Sequence, residues 1–114
     1  MVKDYVPQQG DIILVNHSPT SGREKHGVRP ALVVSVSLLS QKSYFVWCVP
    51  ITTGKNPFIT HIPLDNRTKT KGNIHVEQLR SFDYKSRQPK FLEKCPKDIM
   101  QKVSKMINDL SGVT

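Results

Sequence analysis

Five short runs rich in β-branched and aromatic residues follow one another too closely for crossover helices, and that spacing constrains the fold more than any other feature. The runs are Ile12 to Val15, Ala31 to Val36, Tyr44 to Val49, Phe58 to Leu64 and Ile74 to Leu79, punctuated by Gly, Pro, Ser, Asn and Lys. Parallel neighbours would need longer connections, so the strands are predicted to pair mainly antiparallel and to curl into a small barrel or half-barrel. Behind Pro96 the period changes. Ile99, Val103, Met106 and Leu110 recur at steps of four, three and four, Met100 and Ile107 widen the stripe, and Gly112 stands at the far end. One amphipathic helix is predicted there, its apolar stripe spent on packing against the sheet.

At 114 residues the chain, 1–114, is expected to be a single domain around one core. The N-terminus has no apolar run of the kind a signal peptide needs. The longest apolar stretch, Ala31 to Leu39, is broken by Ser35 and Ser37 and falls far short of the ~20 residues of a membrane span. A cytoplasmic protein with no membrane contact is the expectation. Cys48 and Cys95 lack CxxC spacing and a His placed to complete a zinc site, so two reduced structural thiols are expected. Lys and Arg number 17 against 9 Asp and Glu, a formal charge of +8, which favours a polyanion such as nucleic acid over a neutral metabolite. The same charge also serves plain solubility.

Three segments stand out. The first is Gly10-Asp11-Ile12-Ile13-Leu14-Val15-Asn16-His17-Ser18-Pro19-Thr20-Ser21-Gly22-Arg23-Glu24-Lys25-His26-Gly27-Val28-Arg29-Pro30, a strand, a long polar loop and an Arg-Pro that launches a second apolar strand. The second is Val49-Pro50-Ile51-Thr52-Thr53, and the third Gly72-Asn73-Ile74-His75-Val76-Glu77-Gln78-Leu79-Arg80-Ser81-Phe82-Asp83. Together they resemble the MazF/PemK family of toxins, the endoribonucleases (mRNA interferases) of type II toxin-antitoxin systems. The resemblance runs from Tyr5 to about Asp83 and continues more weakly into the C-terminal helix.

The resemblance implies a mainly β fold with a C-terminal α-helix, a small SH3-like, CcdB-like antiparallel barrel. It implies a toxin that cleaves single-stranded mRNA at a specific sequence, with no metal or other cofactor, and so blocks translation and growth. The 2′-hydroxyl would attack, leaving a 2′,3′-cyclic phosphate and a 5′-hydroxyl. A homodimer with RNA along its interface is implied too. So is a cognate antitoxin whose acidic tail fills the same groove, with DNA engaged only through that antitoxin. A basic surface suits such a partner.

In the family, the Arg of Gly-x-Arg-Pro and the first Thr of Pro-x-Thr are the catalytic pair, and these fall on Arg29 and Thr52. Members usually read Pro-Thr-x-Gly-x-Glu-Gln-x-Gly-x-Arg-Pro, whereas this chain has Lys25 in place of the Gln. The PemK-like branch often carries a His where this chain has Arg23, so no imidazole chemistry transfers there, and Arg23 can instead bind a phosphate. That branch also assigns acid–base work to an Asp and to an Arg two residues before it; Glu77 and His75 occupy those positions.

Cutting RNA without a metal needs a base for the 2′-hydroxyl proton, a cation for the phosphoryl oxygens and an acid for the leaving 5′-oxygen. Arg29 suits the second task, because its planar fork grips two oxygens and stays charged; the other reading of Arg29 is a pairing with a carboxylate at the strand start. Thr52, at a strand end, can donate to a phosphate without moving, or can serve only as a β-former. His75 and Glu77 lie two apart on a predicted strand and so project to one face. Either can act as general base, the imidazole near neutral pKa or the carboxylate if burial raises it. Alternatively Glu77 anchors a loop or a dimer and His75 is a surface residue.

The candidate RNA-binding residues are Glu24, Arg23, His17, His26, Thr53, Lys55 and Gln78, around loops that can read splayed bases. Arg67, Lys69, Lys71, Arg80, Lys85, Arg87 and Lys90 offer sequence-tolerant phosphate contacts. The competing reading is a non-enzymatic toxin or binding module of the same fold. Gyrase-poison relatives depend on a C-terminal Trp-Gly-Ile, whereas this chain ends Ser111-Gly112-Val113-Thr114 and has its one Trp at position 47. An inactive RNA-binding regulator is opposed by the presence of Arg29 and Thr52.

Overall fold

A computed structural model of the chain describes residues 5–18, 27–54 and 58–112. Strands β1 (Asp11–Asn16), β2 (Val28–Val33) and β3 (Phe45–Thr52) run antiparallel in sequence order. Ile12 faces Leu32 across the first pair, and Ala31 faces Pro50 across the second. β3 is long enough to serve two partners on its other side. Its first half pairs with β6 (Arg80–Asp83) and its last residues with β5 (Asn73–His75). β5 in turn carries β4 (His61–Pro63), and β7 (Lys90–Lys94) adds to the free side of β1 with a bulge between Ile12 and Ile13.

Among the described residues the result is a seven-stranded sheet in the order β4-β5-β3-β2-β1-β7, with β6 beside β3. The antiparallel sheet and the C-terminal helix agree with expectation. Closure does not: β4 and β7 end the path at opposite edges, so the sheet is not a closed barrel. Burial comes instead from covering both faces. Alternation along the strands sends Ile12, Leu32, Val34, Val49 and Ile51 to one face and Ile13, Val15, Ala31, Val33, Val46 and Cys48 to the other. Because both faces are buried, Ala31 to Val34 reads as a continuous apolar run rather than an alternating one.

The first face is covered by α3 (Lys97–Ser111), which places Ile99 and Val103 in that core and packs Met100, Met106 and Ile107 beside them. Pro96 precedes the helix and Gly112 ends it in the left-handed conformation at φ 71°, as the sequence pattern requires. Leu110 departs from the predicted stripe and is exposed. The helix start is tied down by Arg67, which donates to Asp98 at 2.7 Å and 3.0 Å and also to Asp65. Asp98 lies in the first turn, where its charge complements the helix dipole.

Three of the five predicted strands are redrawn. The run from Ala31 ends at Val33, and Ser37–Lys42 forms a short helix, α1, whose Ser40 hydroxyl donates to the Pro7 carbonyl at 2.5 Å. The run from Phe58 shrinks to β4, leaving Phe58 and Ile59 exposed. The run from Ile74 divides into β5, a 3-10 turn at Val76–Gln78, and β6. A further short helix, α2 (Tyr84–Arg87), is capped by the Asp83 carboxylate, which accepts from the Lys85 and Ser86 amides. Cys48 is buried in β3 and Cys95 half-buried, both as free thiols, and burial pushes their pKa values up to about 12 and about 11. Among the described residues no helix is long and apolar enough to cross a membrane.

Candidate active site

Register places the two motif residues together. Ala31 of β2 faces Pro50 of β3; Arg29 precedes the first by two residues and Thr52 follows the second by two, so both reach the same end of that strand pair. There they line an open depression of about 380 Å³ with Pro30, Ile51, Thr53 and Lys71. Arg29 is exposed, and among the described residues no carboxylate forms an ion pair with it. The alternative reading of Arg29 as a partner of a nearby carboxylate therefore has no support among them.

Two glycines permit this packing. Gly72 has φ +127°, and a Cβ there would stand 2.5 Å from the Thr52 carbonyl oxygen, so only glycine lets this backbone lie against the end of β3. A Cβ on Gly27 would stand 2.6 Å from Asn16 Oδ1, at the close approach that leads into Arg29.

Thr52 faces Asn73 on β5, and His75 lies two residues farther along the same strand. The Thr52 hydroxyl is 2.6 Å from His75 Nε2, in a hydrogen bond whose donor depends on the imidazole tautomer. Behind His75 stands a residue the sequence reading did not single out. His61 is its cross-strand partner on β4, and the two rings stack with centroids 3.7 Å apart and planes at 9°. His61 Nε2 is 3.2 Å from Glu77 Oε2, while Glu77 Oε1 accepts a 2.6 Å bond from the Thr60 hydroxyl. Gln78 approaches the same carboxylate, its amide donating at 3.4 Å.

His75 and Glu77 thus come together, but not by strand alternation. β5 ends at His75, and the 3-10 turn, with Val76 buried, carries Glu77 around to His61. The Val76 amide donates to Thr60 at 3.2 Å, so the turn and the Thr60–His61 segment are fixed to each other. Only the β4–β5 register could have revealed His61, and the loop of residues 64–72 that joins the two strands does not state it.

The electrostatics separate the two candidate bases. Burial, and then the neighbouring His61, lower the His75 pKa, while the Glu77 charge pulls the other way. Neutral imidazole is therefore favoured at pH 7. Burial works against ionising Glu77, but the hydrogen bonds from Thr60, the backbone and His61 outweigh it and lower the pKa. Both of its oxygens are occupied. The cluster His61, His75 and Glu77 also holds three metal-type donor atoms within 4.8 Å of one another.

Of the predicted RNA-binding residues, Thr53 lines the depression and Gln78 stands beside Glu77. The His17 ring packs edge-on against Phe82, with centroids 5.1 Å apart and Nε2 buried; burial first, and then Arg80, lower its pKa to about 4. That packing replaces the exposed loop position expected for it. Arg23, Glu24, His26 and Lys55 lie outside the described residues.

Several of the basic residues are already engaged. Arg67 holds Asp65 and Asp98, Arg80 donates to the His17 carbonyl at 2.7 Å, and Arg87 donates to the Asn16 carbonyl at 3.0 Å. Lys71 opens onto the depression while bonding the Thr68 carbonyl at 3.2 Å.

Residues 8–110 match the family described as PemK-like, MazF-like toxin of type II toxin-antitoxin system. The chain is 31% identical over 112 residues to the endoribonuclease toxin MazF of Escherichia coli (strain K12), covering 98% of this chain and 100% of that protein. The fold is similar to the crystal structure of MazF from Deinococcus radiodurans, with a TM-score of 0.86 at 28% identity, spanning 96% of this chain and all of that one. It is also similar to a MazE-MazF crystal structure from the same organism, with a TM-score of 0.84 at 25% identity, spanning 97% of this chain and 100% of the matched chain.

Proposed function

Because this chain belongs to the family of PemK-like, MazF-like toxins of type II toxin-antitoxin systems, we propose that it is a toxin that cuts single-stranded mRNA at a short sequence. The observation that carries the proposal is the placing of Arg29, Thr52 and Lys71 around one depression, with Thr52 hydrogen-bonded to His75. A phosphodiester seated there meets two cations and a hydroxyl donor. Arg29 grips the phosphoryl oxygens, Lys71 adds a second positive charge, and Thr52 orients the phosphate.

His75 is the general base in this reading. Its lowered pKa keeps the ring neutral at pH 7, and it is held beside the group that would touch the phosphate. It takes the 2′-hydroxyl proton as that oxygen bonds to phosphorus. The bond from phosphorus to the 5′-oxygen then breaks, the leaving oxygen taking a proton from solvent in the open depression, giving a 2′,3′-cyclic phosphate and a 5′-hydroxyl. Glu77, with both oxygens held by Thr60 and His61, positions the imidazole pair and moves no proton. Bases on either side would be read by the loops flanking Arg29 and Thr53.

The MazE-MazF crystal structure from Deinococcus radiodurans supports a cognate antitoxin as partner, and the +8 charge of this chain suits an acidic tail on it. A homodimer and a cytoplasmic setting complete the proposal.

The test is incubation of the purified chain with a long single-stranded RNA in EDTA, with cut sites mapped by primer extension beside an Arg29→Ala control. Recurrent cuts at one short sequence that vanish in the control support the reading. An intact RNA in the presence of folded, antitoxin-free protein would overturn it.

A further inference from the structure

The geometry points to a second property of the same cluster: His61, His75 and Glu77 form a binding site for a borderline divalent transition metal such as Zn²⁺ or Co²⁺. Two imidazoles and a carboxylate are the donor set such ions prefer over Mg²⁺ or Ca²⁺, and three protein ligands leave a fourth position for water. Their ligand atoms already lie within 4.8 Å of one another. One edge of the site is close to final geometry. His61 Nε2 and Glu77 Oε2 are 3.2 Å apart, and two ligands at about 2.1 Å on a tetrahedral ion are separated by about 3.4 Å. An ion entering there displaces the proton now shared between them.

Among the described residues the buried Nδ1 of His61 has no hydrogen-bond partner, so the ring is held by its Nε2 contact to Glu77 and by packing against His75 and Phe58. Glu77 is held in place by Thr60, so the carboxylate is preorganised. His75 must move. Its ring is parallel to that of His61 at 3.7 Å, and two parallel rings cannot both aim an in-plane lone pair at one ion. To ligate, His75 has to tilt and leave Thr52. The metal therefore acts as an inhibitor rather than a cofactor: it captures the base and breaks the Thr52 contact. This consequence for cleavage rests on the function proposed above; the binding itself does not.

The decisive measurement is a titration of the full-length chain with CoCl₂, followed by visible d–d absorption. One equivalent with a tetrahedral band, no thiolate charge-transfer band, and displacement by Zn²⁺ but not by Mg²⁺ is the expected result. His61→Asn and Glu77→Gln should each weaken binding at least tenfold while keeping the circular dichroism of the parent chain. If either variant fails to fold, imidazole NMR signals of the unmodified chain decide, since Co²⁺ should shift two histidines sharply and leave His17 in place. Absence of the band, a thiolate signature, or undiminished binding in a folded His61→Asn chain would overturn the site. Cleavage inhibited by Zn²⁺ and restored by EDTA tests the consequence separately, so an inactive protein that still binds Co²⁺ would count against the ribonuclease and not against the metal site.

Discussion

Glu77 and Glu93 are two carboxylates held in nearly the same way, and what they hold differs. Each accepts a short bond from a threonine hydroxyl, Thr60 at 2.6 Å for Glu77 and Thr70 at 2.7 Å for Glu93. In each, burial opposes ionisation and hydrogen bonds overcome it, so both pKa values are lowered. The remaining partners of Glu93 are backbone amides, Lys69 at 3.1 Å and Thr70 at 2.8 Å, which cannot titrate or move. Glu93 therefore staples a loop to β7. The remaining partner of Glu77 is chiefly the imidazole of His61, which stacks on His75, and that ring meets Thr52. The same clamp becomes part of a chain of contacts leading to Thr52 when an amide is exchanged for an imidazole.

The strongest way to break this contrast is to remove the ring that meets Thr52. His75→Gln should lower single-turnover cleavage by about 100-fold or more, the scale of a lost general base, with the melting temperature nearly unchanged. An unaltered rate would make the Glu77 cluster as purely structural as the Glu93 staple. Next in size is an effect on stability at acid pH. The folded His17 pKa is about 4 against an unfolded 6.5, so from about pH 6.5 downward the unfolded chain takes up a proton that the fold refuses. Stability should fall through that window by about 2 kcal/mol, after allowance for partial exposure, and this contribution should level off below pH 4. Thermal melts of the parent chain and of His17→Phe across the window would show it, the variant having the flatter curve.

The contrast itself is tested by paired substitutions. Glu93→Gln should cost about 1–2 kcal/mol, the loss of charge-assisted bonds at a partly exposed site, and leave the cleavage rate within about twofold. Glu77→Gln should cost less stability and slow cleavage by roughly tenfold, about 1.4 kcal/mol at the transition state. Denaturant melts and single-turnover rates on both variants decide; a reversed pattern would show that the amide-bound clamp, not the imidazole-bound one, supports the site.

Much of this was legible in the chain, for reasons that can be stated. The meeting of Arg29 and Thr52 is legible because their strands follow one another in order and their motifs are local. Helix α3 was found because Pro96, the Ile99/Val103 spacing and Gly112 all agree. The turn at Val76–Gln78 was hidden because Ile74-His75-Val76-Glu77 alternates apolar and polar residues as a strand would, and Val76 is buried in either case. His61 was hidden because nothing near it in sequence marks it; its role comes from facing His75 across β4 and β5. The open sheet was hidden because strand count and spacing do not state whether two edges meet. Asp83 ahead of α2 was a readable capping signal, too short in its helix to stand out.

The smallest effect is also the one that separates position from proton transfer. If His75 is the base, cleavage needs its neutral form, so activity falls as pH drops through its folded pKa, which lies below the usual 6.5. Burial and His61 lower that pKa while the charge of Glu77 raises it, so Glu77→Gln should move the acid limb to still lower pH. If Glu77 were the base, its removal would abolish the limb instead of displacing it. Glu93→Gln, whose carboxylate lies in the other clamp, should leave the limb where it is. Rate–pH profiles of the three chains, collected where the melts show each folded, distinguish a carboxylate that tunes a base from one that is the base.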